Sequence, residues 1–480
     1  MPATLKTSQT AQILTGLMLA AYGLMLCAAV LLGALKSLAY VAAFLAAVIL
    51  AVWILCPGPR PAWDALLERL DSRELGAVLA LFCLLVNAVW VLLVRVEPFG
   101  DYEVFWLSAT QLAEGKPVSY AGTIAAFPHI LGYSSFLSLF IRLFGPSPLL
   151  APLINVALTV ISGVALYTLC LNWRGKRAAA FAFLLWTVCP SRILFNAQVM
   201  SEPLYTCLIL LFLLLVSQLE RRGERMGAYG LTAVASAFVL RGINAARPIA
   251  AVPIIAFFIW ILLLKKDVRE RESLCRWALY SLLMPVLYAG LGYLWDRYAE
   301  NVLGEAPAST PGYSIYVGFN TESSGTYFEE DMELLRHYRE DVFGNAKEAQ
   351  AQMLEEAKAR IASGEINFPL FFAKKLRILL GNDEAGVNSS RFSLSENQYT
   401  ACAIASNVYY YGLILLSLAG ALDMWQKRTD SCALIAPMFV LGLTLAHMLV
   451  EVSERYHYSM ISMLVIIAAF GLRPRRMVAG

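Results

Sequence analysis

Two acidic residues lie at the ends of long apolar runs, where they could act on a substrate held at a membrane surface. Asp101 follows one such run in GDYEVFWLSATQLAEGKP, and Glu202 begins another in SEPLYTCLILL. A carboxylate in such a position can serve as a general base toward a substrate bound in the bilayer. Each residue could instead be a helix N-cap or a first-turn acid, because both positions favour acidic side chains.

Four basic side chains lie close to the ends of later apolar runs, in two short motifs. Arg241 and Arg247 belong to VLRGINAARPIA, and Arg455 and His457 belong to ERYHYSM. A guanidinium group can form two parallel hydrogen bonds to phosphate oxygens, so this cluster predicts a site for the phosphate of a lipid-linked donor. A single arginine at a membrane interface can also extend to lipid headgroups, and that interpretation stays open for each of them.

The stretch 312–331, GYSIYVGFNTESSGTYFEED, combines aromatic, amide and hydroxyl side chains. Aromatic faces with a few polar groups between them are typical of small-molecule sites, so we expect Tyr316 and Asn320 to contact a carbohydrate substrate. An ordered loop with turn glycines explains the same composition equally well.

The elements that carry these residues are predicted to be membrane-spanning helices. Hydrophobic residues make up 59% of the 480-residue chain, charged residues make up 15%, and the mean hydropathy is +0.62. The charges occur in short groups between apolar runs of about 20 residues, the length that crosses a bilayer as a helix. The sequence therefore predicts an all-α polytopic membrane protein with about twelve spans, near 11–33, 37–57, 77–96, 150–171, 178–195, 203–219, 227–244, 247–264, 277–295, 403–423, 432–450 and 458–472.

The distribution of charge predicts which loops face the cytoplasm, because Lys and Arg accumulate on that side of membrane proteins. The segment 296–401 carries 10 Lys and Arg against 17 Asp and Glu, a net charge of −7, so it is predicted to be a large loop outside the cytoplasm. The predicted cytoplasmic loops and C-terminus contain Arg60, Arg69 and Arg73; Arg174, Lys176 and Arg177; Arg221, Arg222 and Arg225; Lys265, Lys266, Arg269, Arg271 and Arg276; Lys427 and Arg428; and Arg473, Arg475 and Arg476.

One apolar segment, 128–144, would reverse this sidedness for the rest of the chain if it crossed the membrane. It is short and contains Pro128, Gly132 and three serines, so we predict a juxtamembrane helix that lies in or dips into the outer leaflet. Two further helices are predicted within the large loop: an exposed helix of strong helix formers over 345–363 and an amphipathic helix over 366–380.

Cysteine and histidine usage argues against a metal centre or a disulfide framework. The nine cysteines are scattered without C-x-x-C spacing, and the four histidines are isolated. No phosphate-cradling G-x-x-x-x-G-K-S/T loop occurs, so neither a nucleotide sugar nor a nucleic acid is an expected partner. No cofactor is indicated, although a divalent metal would be compatible with the chemistry.

Together these motifs resemble the GT-C class of membrane glycosyltransferases, close to bacterial relatives of the dolichyl-phosphate-mannose protein mannosyltransferases and to the lipid A aminoarabinose transferase. The resemblance covers most of the chain through GDYEVFWLSATQLAEGKP, FPHILGY, SEPLY, ARPIA, YVGFN and ERYHYSM, in that order. It implies that Asp101 is the catalytic acidic residue of the first outer loop and that Glu202 is the acid of the second outer turn. Substrate contacts are also expected from Glu103, beside Asp101, and from His129 in FPHILGY.

The chain departs from the family pattern at one point. Phe127 precedes the proline of FPHILGY where several relatives carry Lys or Glu, so a metal or phosphate role at that position does not transfer. The resemblance otherwise implies an additional N-terminal transmembrane hairpin over 1–60, a GT-C core module over 61–295 with its first outer loop at 97–149, a large extracytoplasmic loop over 296–402, and C-terminal transmembrane helices over 403–480.

The residues and the resemblance together predict an inverting glycosyltransferase of the cell membrane, a hexosyl- or pentosyltransferase with its active site outside the cytoplasm. Its donor would be a polyprenyl-phosphate-linked sugar, its acceptor a hydroxyl of a glycan, lipid or protein, and membrane lipids would surround it. Asp101 would accept a proton while Arg247 and Arg455 hold the phosphate. The alternative is a lipid or polysaccharide transporter, which would need ionisable or helix-breaking residues near the middle of the membrane.

Overall fold

Helices account for almost all of the secondary structure. A computed structural model describes residues 2–56, 65, 67–222, 225–265 and 271–472, and no β-strand occurs among them. The chain is an all-helical, multi-pass membrane protein, as the sequence predicts. The helices that precede the large loop are α1 (Pro2–Ala34), α2 (Leu38–Leu55), α3 (Ser72–Leu93), α4 (Asp101–Glu114), α5 (Ala121–Ala126), α6 (His129–Phe144), α7 (Leu150–Arg174), α8 (Lys176–Thr187), α9 (Pro190–Phe195), α10 (Glu202–Arg222), α11 (Met226–Ala246), α12 (Ala251–Ile259) and α13 (Arg271–Leu303).

The predicted large loop is itself helical. Its two longest helices, α16 (Ala346–Ala362) and α17 (Phe368–Leu380), match the predicted ones closely because each has a local start signal. The side chains of Asn345 and Asn367 accept hydrogen bonds from the first turns of these two helices. The remaining helices are α14 (Gly312–Gly318), α15 (Glu329–His337), α18 (Ala385–Ser389), α19 (Glu396–Gln426), α20 (Ile435–Leu449) and α21 (Tyr458–Phe470).

Nine of the predicted spans correspond to helices that are long and apolar enough to cross a membrane. Among the described residues these stretches lie in α1, α2, α3, α7, α10, α11, α13 and α19, and in Cys432–Leu449, which joins a short 3-10 turn to α20. They confirm the predicted polytopic architecture for most of the chain.

Three predicted spans are shorter in the structure than a membrane crossing requires. The span 178–195 divides into α8 and α9, because Pro190 lacks the N–H that would continue the helix. The span 247–264 corresponds to the shorter apolar stretch Ala251–Leu264, which ends in a π-helical turn. The span 458–472 corresponds to α21, which has 13 residues, all of them buried. Hydropathy detected the apolar composition of these segments but not the helix ends within them.

The N-terminal hairpin packs against the C-terminal part of the chain. Helix α2 lies along α19, and the hydroxyl of Tyr22 in α1 donates a hydrogen bond to Ser417 Oγ at 2.9 Å. The backbone of α1 also approaches the end of α17 so closely that a Cβ atom at Gly33 would lie 1.8 Å from the carbonyl oxygen of Gly381. The described part of the predicted hairpin is therefore integrated into the helical bundle.

Helix α6, predicted to be juxtamembrane, has 16 residues and packs between α4 and α11. Ser134 Oγ donates a hydrogen bond to the carbonyl oxygen of Phe105 at 3.2 Å. A Cβ atom at Gly132 would lie 1.9 Å from the carbonyl oxygen of Ala245, so only glycine permits this approach to α11. These contacts position the start of α6 beside the end of α11, while the prediction that α6 does not cross the membrane stays a prediction.

The segments predicted to lie outside the cytoplasm meet at one end of the bundle. We call this the loop end and define it by residues 97–149, 200–202, 247–250, 304–395 and 450–457. Backbone hydrogen bonds join its parts, for example Ala308 N–H to Ala125 O at 2.8 Å and Glu451 N–H to Ser314 O at 2.7 Å. Of the basic residues predicted on the cytoplasmic side, six lie outside the described residues: Arg60, Lys266, Arg269, Arg473, Arg475 and Arg476.

Candidate active site at the loop end

Asp101 and Arg455 form an ion pair although they lie 354 residues apart in the sequence. Arg455 Nη2 donates to Asp101 Oδ2 at 2.5 Å, and the aspartate side chain is 61% exposed while the arginine side chain is 23% exposed. Gly100, with a φ of 54°, takes the N-cap position of α4, and Asp101 is the first residue of the helix. The carboxylate of Asp101 therefore bonds the arginine instead of capping the helix.

The surroundings of Asp101 keep it ionised. Partial burial raises the pKa of this carboxyl group, but the positive charge and hydrogen bond of Arg455, together with the charge of Arg247, more than offset that effect and hold the pKa below its ordinary value. A carboxylate so strongly attached to a guanidinium group is a weak proton acceptor. Its basicity would rise if another anion took over part of the contact with Arg455.

Tyr456 connects the two predicted phosphate-binding arginines. The guanidinium carbon of Arg247 lies 4.4 Å from the centre of the Tyr456 ring, and that of Arg455 lies 5.6 Å from it. The phenol donates a hydrogen bond to Glu451 at 3.1 Å, and burial raises the pKa of Tyr456 to about 12. A neutral ring thus separates the two cations and is attracted to both of them.

Glu202 supplies a second carboxylate to the same group. It is the first residue of α10 and is 2% exposed, in contrast to Asp101. Burial lowers the pKa values of Arg247 and Arg455, but the negative charge of Glu202 and the contact with Tyr456 offset this effect, so both pKa values are raised. The two arginines therefore stay charged, with an acid on the exposed side and another on the buried side.

His129 joins this group as a neutral side chain. It begins α6 and is partly buried. Burial, followed by the positive charges of Arg247 and Arg455, lowers the pKa of His129 to about 3, while Asp101 has the opposite effect. The imidazole can therefore donate or accept a hydrogen bond at neutral pH without adding charge to the site.

Three other predicted site residues, Glu103, Arg241 and His457, are directed away from the group around Asp101. Glu103 is exposed, and it lies two positions after Asp101, which places it on a different side of α4. The guanidinium carbon of Arg241 lies 5.6 Å from the Tyr288 ring of α13. His457 is buried, and its two ring nitrogens lie 2.7 Å from the carbonyl oxygen of Leu379 and 3.1 Å from Asp383 Oδ1. Neither nitrogen of His457 is left for a phosphate.

The two residues predicted to contact a carbohydrate take part in the internal structure of the loop. Arg360 lies 3.4 Å from the centre of the Tyr316 ring and forms an ion pair with Asp331 at 3.0 Å. Asn320 Nδ2 donates to Asp331 at 3.0 Å, and its Oδ1 accepts hydrogen bonds from the backbone N–H groups of residues 322 and 323. The structure therefore supports the ordered-loop interpretation of this stretch for Asn320, whose amide oxygen and nitrogen both form hydrogen bonds within the loop.

A buried lysine that the sequence analysis did not single out attaches the large loop to residues 448–450, just before the turn that carries Arg455. Lys375 Nζ donates to three carbonyl oxygens, of Gly318 at 2.6 Å, Met448 at 3.1 Å and Val450 at 2.7 Å. Burial lowers the pKa of Lys375 to about 7. A charged residue within the apolar stretch FFAKKLRILL was the available signal, since a buried lysine needs such partners.

A buried arginine was also missed because it lies within a predicted span. Arg192 is 2% exposed, and it donates to Thr159 Oγ1 at 3.0 Å and to the carbonyl oxygens of Thr187, at 3.3 Å, and Trp186. These two carbonyl groups belong to the last turn of α8, so the cation satisfies acceptors that the end of this helix leaves free.

The described residues contain no group of three or more His, Cys, Asp or Glu side chains that could hold a metal ion. The cations beside Asp101 are arginines, so the site offers cations of the protein itself to an anionic ligand.

No protein-family model and no curated protein matches the chain. Among solved structures it is similar to ArnT from Cupriavidus metallidurans bound to undecaprenyl phosphate, with a TM-score of 0.35 and 13% identity over 82% of this chain and 77% of that chain. The apo state of the same protein gives a TM-score of 0.36 and 11% identity over 82% and 76%. The likeness is remote at these values, so the functional proposal rests on the site itself.

Proposed function

We propose that the protein is a glycosyltransferase that moves a sugar from a polyprenyl phosphate to an acceptor hydroxyl at the loop end, outside the cytoplasm. The observation that carries the proposal is the ion pair of Asp101 and Arg455 with a second arginine, Arg247, across the Tyr456 ring. This arrangement combines a proton acceptor with two cations that suit a phosphodiester, and it lies at the end of the bundle where a lipid-linked donor could reach it from the membrane.

In the proposed reaction, Arg247 and Arg455 bind the donor phosphate. The phosphate then shares Arg455 with Asp101, and the pKa of Asp101 rises because its carboxylate loses part of its stabilising partner. The acceptor oxygen attacks the anomeric carbon and transfers its proton to Asp101, while the bond between that carbon and the phosphate oxygen breaks on the opposite face of the sugar. The electron pair of that bond goes to the phosphate, where the arginines stabilise the added charge. The configuration at the anomeric carbon is inverted.

The other members of the group support these two roles. Glu202 is buried beside the arginines and balances their charge from the protein side, which keeps both guanidinium groups in place for the phosphate. Neutral His129 can bond the acceptor or the phosphate without opposing the arginines. The exposed side of Asp101 gives the proton a route to water after each turnover.

The transporter alternative predicts a charged or helix-broken site within the membrane. The break between α8 and α9, with its buried Arg192, is a described feature of that kind, but Thr159 and the end of α8 already bind the two terminal nitrogens of this arginine. This favours chemistry at the loop end over passage through the bundle.

The deciding experiment is transfer of sugar by the purified protein in detergent, where no gradient exists. A panel of labelled polyprenyl-phosphate sugars is incubated with the protein and a mixture of glycan, lipid and peptide acceptors, and labelled product and released polyprenyl phosphate are measured. We expect transfer with at least one donor and its loss in Asp101→Asn. Movement of a lipid-linked sugar across proteoliposomes without any transfer would instead establish the transporter.

A further inference from the structure

A small cavity lies directly behind the ion pair of the active site. Arg455, which contacts Asp101 on one side, lines this cavity together with Arg192, Asp383 and Tyr458. The space has room for about one water-sized group. The wall therefore combines Arg192, from the break between α8 and α9, with Asp383 of the large loop and Tyr458 at the start of α21.

Four polar atoms of this wall have no hydrogen-bond partner within the described part of the chain: Arg455 Nε, Arg192 Nε, Asp383 Oδ2 and the phenol oxygen of Tyr458. The last three belong to residues that are at most 4% exposed. Buried polar groups are rarely left unpaired, because the loss of their hydrogen bonds to water is costly. Four such atoms on one cavity indicate a ligand group that completes them.

The carboxylate of Asp383 is held in a fixed orientation. His457 contacts Asp383 Oδ1 at 3.1 Å, and the side chain of Asn407 accepts a hydrogen bond from the Asp383 backbone N–H at 3.2 Å. The other oxygen, Oδ2, is the one without a partner. One carboxylate oxygen and the buried N–H of Arg192 are therefore unpaired on the same small space, which Arg455 also lines.

Arg192 Nε and Asp383 Oδ2 restrict which chemical group can bind in the cavity. Arg192 Nε–H needs an acceptor, and Asp383 Oδ2 needs a donor. A hydroxyl group supplies both, whereas a carboxylate has no proton to donate and an ammonium group has no lone pair to accept. The positive charge of Arg192 also opposes an ammonium group at this position.

We propose that the cavity is a specificity subsite that takes one hydroxyl group of the sugar carried by the donor. This inference rests on the proposed function, because a phosphate held by Arg455 places the sugar bonded to it beside the same arginine. The cavity is small, which suits a group of the monosaccharide attached to the phosphate better than part of a larger acceptor. Arg192 and Asp383 then determine which sugars fit, and they do so without touching the bond that reacts.

The test compares the preferred lipid-linked sugar with its single-deoxy analogues, using the full-length protein in detergent. We expect the wild type to discriminate against one deoxy donor by about 100-fold or more in kcat/KM, because the lost hydroxyl leaves two buried groups unpaired. In Asp383→Asn and in Arg192→Lys, kcat/KM for the intact donor should fall roughly 10- to 100-fold, while kcat/KM for that deoxy donor changes little. Binding of polyprenyl phosphate without a sugar should be unchanged.

The matched control is Asp423→Asn, which removes an aspartate that pairs with Arg174 at the opposite end of the molecule and should keep the wild-type preference among donors. Tyr458→Phe removes only the phenol oxygen and tests the same cavity if Asp383→Asn does not accumulate as folded protein. An equal loss on the intact donor and all deoxy donors would mean that the cavity holds an ordered water only, and it would overturn the subsite. Absence of transfer from every donor by the wild type would overturn the proposed function and, with it, the subsite.

Discussion

An arginine pairs with an aspartate near each end of the molecule, and the two pairs differ in their surroundings. Arg455 and Asp101 meet at the loop end, where the aspartate side chain is 61% exposed. Arg174 and Asp423 meet at the opposite end with side chains only 14% and 15% exposed, and Arg174 Nη2 also donates to the carbonyl oxygen of Phe470 at 2.9 Å. The second pair is closed by the protein, whereas the first leaves an open carboxylate.

The difference separates an ion pair that holds helices together from one that is available to a ligand. Lys427 also contacts Asp423, at 2.7 Å, so the closed pair has its acid between two cations. The open pair has the reverse composition around Arg455, with Asp101 on the exposed side and Glu202 on the buried side. An incoming anion can compete with Asp101 for Arg455, but the closed pair offers no comparable access.

The largest expected effect concerns Asp101. Asp101→Asn removes the proton-accepting carboxylate while leaving Gly100 as the N-cap of α4, so turnover should fall by about 10²-fold or more with the folded structure retained. Turnover and thermal stability in detergent measure the two effects separately. The matched change at the closed pair, Asp423→Asn, should lower stability and leave turnover per folded molecule unchanged. If Asp101→Asn turns over normally, Asp101 is not the base.

The next effect concerns the guanidinium groups. Arg455→Lys and Arg247→Lys keep the charge but lose the bidentate fork, so each should weaken donor binding or turnover by about 1.5–3 kcal/mol. The double variant should lose less than the sum, because neighbouring residues in one site are coupled. Arg174→Lys serves as the control at the closed pair and should leave donor kinetics unaltered. Unchanged kinetics for both loop-end variants would show that these arginines only reach lipid headgroups.

A smaller effect concerns Lys375, the buried lysine that joins the large loop to residues 448–450. The pKa of Lys375 is about 7 in the folded protein, below its value in the unfolded chain, so the unfolded chain binds more protons between pH 7 and about 10.5. The stability of the wild type should therefore rise with pH in this window, by at most about 1.4 kcal/mol per pH unit, relative to Lys375→Met. Denaturant unfolding in detergent at several pH values measures the difference. Parallel pH profiles for the two proteins would contradict a depressed lysine pKa.

The last prediction tests on which side of the membrane the pair of Asp101 and Arg455 lies, with substitutions that should leave activity unaltered. Single cysteines replacing Lys116, before α6, and Ser147, after it, should both react with an impermeant thiol reagent added from outside the cell. The parent protein with its native cysteines provides the background labelling. Reaction at only one of the two positions would mean that α6 crosses the membrane, and the sidedness assigned to every later segment would then reverse.

Local sequence determined much of the fold. Apolar runs of sufficient length identified the nine helices that, among the described residues, are long and apolar enough to cross a membrane, because hydropathy depends only on neighbouring residues. The loop helices α16 and α17 were also predictable, since their asparagine caps and helix formers act over a few residues. Asp101, Glu202, Arg247 and Arg455 were recognisable for the same reason, because each charge lies at the end of an apolar run.

Only the tertiary structure decided which of these side chains meet. Asp101 and Arg455 are brought together by the packing of α4 and the turn before α21, and no local pattern encodes a contact over 354 residues. The same packing directs Arg241 toward α13 and commits His457 to Asp383, although their motifs also contain Arg247 and Arg455. The sequence by itself determined where charges emerge from the helices, because that depends on local hydropathy. Their partners depend on how distant helices pack, which the local sequence does not specify.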